Sequence, residues 1–145
     1  MVNVREHIDL AAPVDRVFDY MDTPAHQATI TPSLSESVLL ERMPNGGSRA
    51  RYTYRTLGLS FSGEVRATDY VPDERIVWSM TGDLHGTIRW YFAAPLDEGC
   101  RFTYAATYRI PGPSLIHPLA RPLIRRYNER EVRALLRNLR ARIGA

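Results

Sequence analysis

The sequence predicts an α+β domain: a seven-stranded antiparallel sheet, two short helices after its first strand, and one long C-terminal helix. Three observations carry this. From Pro113 to Ile143, Leu119, Leu123, Ile124 and Tyr127 recur at helical spacing, and Val132, Leu135, Leu136, Leu139 and Ile143 continue the apolar series. Between Ser33 and that stretch the chain breaks into six strand-like runs separated by turn signals, with no helical period among them. The N-terminal Val2, Val4, Ile8 and Leu10 alternate with Asn3, Arg5, His7 and Asp9, the pattern of a strand with one buried face. An amphipathic helix draws most of its stability from packing its apolar side, so the strands must supply the complementary surface.

After the first strand, Pro13 precedes VDRVFDYM, a short helix with Val14, Val17, Phe18 and Met21 on its inner side. Pro24 and Pro32 bracket a second helical or loop piece, AHQATIT, expected to be the most mobile part of the chain. Strands follow near 34–43, 48–57, 59–70, 75–81, 84–94 and 100–110. Their turns are Asn45-Gly46-Gly47, Gly58, Val71-Pro72-Asp73-Glu74, Thr81-Gly82-Asp83 and Leu96-Asp97-Glu98-Gly99. Such short connections make neighbouring strands antiparallel. Strand parity places Val38, Leu40, Tyr52, Tyr54, Phe61, Val65, Ala67, Ile76, Trp78, Met80, Ile88, Trp90, Phe92, Phe102, Tyr104, Ala106 and Tyr108 on the face toward the long helix. The opposite face collects Arg49, Arg51, Arg55, Glu64, Arg66, Arg89, Arg101 and Arg109. Pro118 and Pro122 are expected to break or kink the start of the long helix.

A chain of 145 residues, 44% hydrophobic, matches a single domain spanning 1–145 with a sizeable core. No apolar run approaches the ~20 residues that span a bilayer, and MVNVREHIDL has no signal-peptide pattern. A cytoplasmic protein is the expectation. The single cysteine, Cys100, excludes an internal disulfide, and no Cys/His pair has zinc-site spacing, so neither metal nor cofactor is expected. All basic residues are arginine, which rules out Schiff-base catalysis through a lysine. A net charge of +3 spread along the chain, without a basic helix-turn-helix or RNP-like stretch, argues against nucleic-acid binding.

The order of elements, with APVDRVFDYMDTP after the first strand, GEVRATDYVPDERIVW in mid-sheet and GCRFTYAATYRIPGP leading into the last helix, resembles the START-like superfamily. The closer resemblance is to its polyketide cyclase/dehydrase and lipid-transport branch. It implies the helix-grip fold, a curved sheet wrapped around the C-terminal helix, with a cavity between them for a hydrophobic or amphipathic small molecule. Members often carry a tryptophan near the end of the second small helix, where this chain has Ala28-Thr29-Ile30.

With that cavity as the frame, Tyr52, Tyr54, Trp78, Met80, His85, Trp90, Tyr104, Tyr108, His117, Tyr127 and Asn128 are the candidate ligand-binding residues. The aromatics among them also suit an ordinary core, and buried tyrosine or tryptophan brings a polar tip that needs a partner. On an ideal helix Asn128 and Glu131 fall between the two apolar patches and look inward. Glu131 is then either a general base or the partner of Arg51 or Arg55, or it is solvated. His117 either orients or protonates a ligand carbonyl or is an exposed or capping residue. Three functions fit: a binding module for a lipid-like or ring-containing molecule, a polyketide aromatase/cyclase-like enzyme using Glu131, His117 or Arg55, and a quinone or isoprenoid chaperone. The last would use the helix arginines Arg126, Arg130, Arg133, Arg137 and Arg140 for transient contact with a membrane surface. Oligomeric state is not readable.

Overall fold

The alternating strand at the N-terminus, β1 (Val2–Leu10), pairs with the last strand, β7 (Cys100–Arg109), in an unbroken antiparallel register from Val2 opposite Tyr108 to Leu10 opposite Cys100. This computed structural model describes residues 2–56, 58–94, 99–109 and 121–143, with the side chains of 56 and 121–124 left aside. Between β1 and the second strand come α1 (Val14–Met21) and α2 (Pro24–Ile30). The chain then runs as a meander through β2 (Leu34–Arg42), β3 (Ser48–Thr56), β4 (Leu59–Val71), β5 (Arg75–Gly82) and β6 (His85–Ala93) to β7, and α3 (Arg121–Ile143) closes it. The sheet order β1-β7-β6-β5-β4-β3-β2 leaves β1 and β2 as its two edges, with α1 and α2 carrying the chain from one to the other. This is the helix-grip arrangement.

Local chemistry explains the element ends. Pro13, with extended backbone, precedes the first turn of α1, and Pro24 opens α2 after Thr23. At the β2–β3 hairpin Gly46 sits at φ 91°, open to glycine but strained for other residues, and the Asn45 side chain accepts the Gly47 N–H at 2.8 Å. Of the helical or loop alternatives, Pro24–Ile30 is a helix, and its last carbonyl, on Ile30, accepts a 2.9 Å bond from Asn138 of α3.

The core is the inner sheet face plus one side of α3. Val132, Leu135, Leu136, Leu139 and Ile143 of α3 are all buried, together with Ile76, Trp78, Met80, Trp90, Phe92 and Phe102 from the sheet. Helix α3 is tied to its surroundings by polar contacts as well. The Arg16 guanidinium donates to the Ile143 carbonyl at 2.7 Å, satisfying an end of the helix that otherwise lacks a donor. Arg133 pairs with Glu6 at 3.2 Å and Arg140 donates to the Asp9 carbonyl at 2.8 Å. Two of the five arginines of the outer helix face are thus fastened to β1 rather than free for a membrane surface.

One parity expectation fails. Val38 and Leu40 are both 37% exposed, not inward. The register of β2 shifts between Leu34 and Glu36 and again between Leu39 and Glu41, so Ser37 stands opposite Tyr52 and Val38 opposite Arg51. An extra residue in one strand flips every later side chain to the other face. The polar outer face is otherwise as expected, crossed by Arg49–Glu64, Arg51–Glu36 and Arg101–Asp9 pairs. Exposed pairs of this kind contribute little stability each. Pro122 is the second residue of α3 as described and does not interrupt it. The expected helical stretch 113–120, with Pro118, Leu119 and His117, and the turn at Leu96–Glu98 lie outside the described residues.

Candidate functional site

Because β3, β4, β5, β6 and β7 follow one another across the sheet, the inward aromatics of β3, β5, β6 and β7 converge. Tyr52 and Tyr54, Trp78, Ile88 and Trp90, and Tyr104 form one wall of a cavity, and Leu135 of α3 faces them. The other side is built by Met21, Pro24, Gln27 and Thr31 from the α1–α2 region and by Leu34 and Ser37 of β2. The cavity offers about 60 Å³ to the centres of water-sized molecules, room for a few waters at roughly 10–15 Å³ each. Trp78 and Trp90 pack edge to face, centroids 5.2 Å apart at 68°. Their indole N–H groups are buried without an acceptor.

The tyrosine tips differ in their partners. The Tyr52 hydroxyl donates to the Thr81 carbonyl at 2.9 Å and accepts the Leu84 N–H at 3.1 Å, so it is spent on the β5–β6 turn. The Tyr108 hydroxyl donates to Asn128 Oδ1, and Tyr127 donates to Glu131 Oε1 at 2.9 Å. Asn128 and Glu131 therefore belong to a polar cluster where α3 meets β7. Tyr54 and Tyr104 line the cavity, and among the described residues neither hydroxyl is hydrogen-bonded. Glu131 Oε2 is buried without a donor.

Burial raises the Tyr54, Tyr104 and Tyr108 phenols above the usual tyrosine range, and the Glu131 charge adds to the effect at each. Outside the cavity, Tyr70 is pushed up to about 12 by desolvation and by its 2.7 Å bond to Asp22. A phenol whose folded pKa exceeds its unfolded value holds its proton more tightly when folded. Its stabilising contribution is full below about pH 10 and is lost as pH rises through the folded pKa. Absorbance at the tyrosinate band should therefore show these four tyrosines ionising only with a cooperative loss of structure above about pH 10. Smooth titration of all eight tyrosines without unfolding would contradict the buried cluster.

Other candidates lie elsewhere. Arg55 is exposed on the outer sheet face, one residue out of phase with Tyr54, so it is removed from cavity chemistry. His85 is exposed at the start of β6 opposite Arg109, with Ile88 and Trp90 of opposite parity facing in. Arg51 pairs with Glu36, so it is not the partner of Glu131. Met80 is buried on the inner face, in register with Val65 and Gly86. His117 lies outside the described residues. Burial pushes the Cys100 thiol up to about 11, which leaves it a packing residue at neutral pH. Among the described residues no group of three His, Cys, Asp or Glu side chains is placed to hold a metal ion. No helix among them is long and apolar enough to cross a membrane. Sequence reasoning missed Gln27, Thr31 and Ser37, which face the cavity; the phase shift in β2 hides Ser37, and the short proline-bracketed piece around α2 carries no periodicity that shows which side chains face inward.

The model of a family described as polyketide cyclase / dehydrase and lipid transport matches residues 1–144. Among solved structures, TTHA0849 from Thermus thermophilus is similar with TM-score 0.85 and 21% identity, over 97% of this chain and 96% of that one. A START superfamily protein from Mycobacterium smegmatis gives TM-score 0.78 at 14% identity, over 98% and 97%. The Zhui aromatase/cyclase from a Streptomyces species gives 0.77 at 19% identity, over 98% and 93%. At such identities the likeness is one of fold. Among curated proteins no relative matches the sequence.

Proposed function

Since the chain belongs to the polyketide cyclase / dehydrase and lipid transport family, we propose that it binds a hydrophobic or amphipathic small molecule, lipid-like or aromatic, in the cavity between the sheet and α3. The observation that carries this reading is the cavity wall itself: flat aromatic faces from four strands, with the Tyr54 and Tyr104 hydroxyls left unbonded at its surface. Apolar walls with a few placed polar groups are what small-molecule sites share. Both tryptophans of the chain line the cavity, so their fluorescence reports its contents directly. Native mass spectrometry of the purified protein should reveal a co-purified hydrophobic molecule, and stripping it should shift tryptophan emission. An unliganded mass, with emission unmoved by a series of apolar ligands, would defeat the proposal.

A second reading is favoured by the Glu131 cluster. A carboxylate beside tyrosines can move a proton next to a ligand carbonyl, as polyketide cyclisation needs. It predicts that Glu131→Gln abolishes turnover of a poly-β-ketone while leaving ligand affinity within a few-fold. Turnover that persists in this variant would remove Glu131 from the chemistry.

A further inference from the structure

Tyr54 of β3 and Tyr104 of β7 come from strands separated by three others in the sheet, yet both line the same cavity. Neither hydroxyl has a hydrogen-bond partner among the described residues. Nor is either sealed off: among those residues, the side-chain polar atoms closed away without a partner belong to Ser48, Trp78, Trp90 and Glu131. Desolvation is the main reason that both phenols are raised above the usual tyrosine range, so the surface they keep is not open to bulk water. It belongs to the cavity. The Tyr52 hydroxyl, on the same wall, is by contrast committed to Thr81 and Leu84. None of the described lining residues is charged, so neutral hydrogen bonds are the polar recognition this wall offers.

We propose that Tyr54 and Tyr104 select the ligand by its oxygen, donating their hydroxyl protons to the carbonyl of a neutral ketone or ester. This deepens the binding reading and rests on it. Each phenol stays protonated at neutral pH and has one proton to give, and a carbonyl oxygen has two lone pairs to receive them. In the empty protein water takes those protons, since the cavity has room for a few molecules. A ligand without an acceptor displaces that water and leaves the donors unmet, whereas a carbonyl replaces it. Sites built to hydrogen-bond a ligand reject the analogue lacking the bonding group for this reason.

Acetophenone and ethylbenzene share one skeleton and differ in the carbonyl, and one ring suits a cavity of this size. NMR titrations of the native chain and of the Tyr54→Phe/Tyr104→Phe double variant give four dissociation constants, in which the unequal hydration of the two probes cancels. The preference for acetophenone over ethylbenzene should be at least about tenfold greater in the native chain, a coupling of about 1.4 kcal/mol. Phenylalanine keeps the ring and removes only a hydroxyl that no described residue bonds, so the fold should survive. Each single variant should show part of the loss, and the two singles carry the comparison if the double variant does not fold. The infrared carbonyl stretch of bound, carbon-13-labelled acetophenone should also move to higher frequency as each hydroxyl is removed. A preference that is the same with and without the hydroxyls, a stretch that does not move, or binding of ethylbenzene alone overturns this inference and leaves the binding reading standing. If neither probe binds the native chain, both fall.

Discussion

Replacing Phe102 with alanine is expected to lower the free energy of unfolding by about 3–5 kcal/mol, the range for a large aromatic removed from a close-packed interior. Phe102 is 0% exposed. It stands on β7 opposite Ile8 of β1 and Phe92 of β6. Its ring lies 5.1 Å from that of Phe92 and 6.1 Å from that of Trp90, and Phe92 in turn meets Phe18 of α1 at 5.0 Å. The truncation thus opens a void where β1, β6, β7 and α1 meet, and four elements cannot all collapse into it. Urea melts followed by circular dichroism should show a lower midpoint with an unchanged slope. The melting temperature should fall by roughly 6–20 °C for a chain of this size. Leu59→Ala, at a site 50% exposed, should change stability by only about 0.5 kcal/mol or less. A loss of under about 1 kcal/mol in Phe102→Ala would mean that this aromatic cluster does not centre the core.

What the sequence made legible followed from periodicity. The strands lie within two residues of their expected ends because Gly, Pro and Asp clusters bound each alternating run, and every meander connection is local. The inward turn of Asn128 and Glu131 followed from helical arithmetic alone, which holds because the described α3 is continuous. Long-range choices were not legible. The bulges of β2 are set by how Ser37 and Leu39 meet Tyr52 and Ala50 of β3, a matter of pairing rather than of the nine residues of β2. Arg55 and His85 illustrate the other limit. Both neighbour inward aromatics in sequence, yet a strand's period of two sends adjacent side chains to opposite faces, and parity alone already separated Arg55 from Tyr54. The cavity's second wall was missed because α2 carries no strong helical signal. Its place comes from contacts with α3 and β2, among them the Asn138 bond to Ile30.

The alanine variant of Gly63 should be nearly as disruptive as that of Phe102, for a reason no burial value conveys. Gly63 lies between Tyr52 of β3 and Gly82 of β5. A Cβ added there would come 2.0 Å from the Thr81 carbonyl oxygen and 2.5 Å from the Tyr52 hydroxyl. The backbone oxygen cannot step aside without shearing the β4–β5 ladder, a strain of about 1–3 kcal/mol. Displacing the hydroxyl also removes the acceptor of the buried Leu84 N–H, worth a further ~1–3 kcal/mol. Gly63→Ala is accordingly expected to cost about 2–6 kcal/mol. Tyr52→Phe, which orphans the same turn groups without the clash, should cost about 1–3 kcal/mol. Since both break one bond, the double variant should be less destabilised than their sum by at least about 0.5–1 kcal/mol. Denaturant melts of the four proteins measure that coupling. Strict additivity would mean the alanine is absorbed elsewhere in the ladder, leaving the Tyr52 hydroxyl on the Thr81–Leu84 turn. Coupling would instead mark Gly63 as the residue whose missing side chain lets Tyr52 reach across to that turn while its ring walls the cavity.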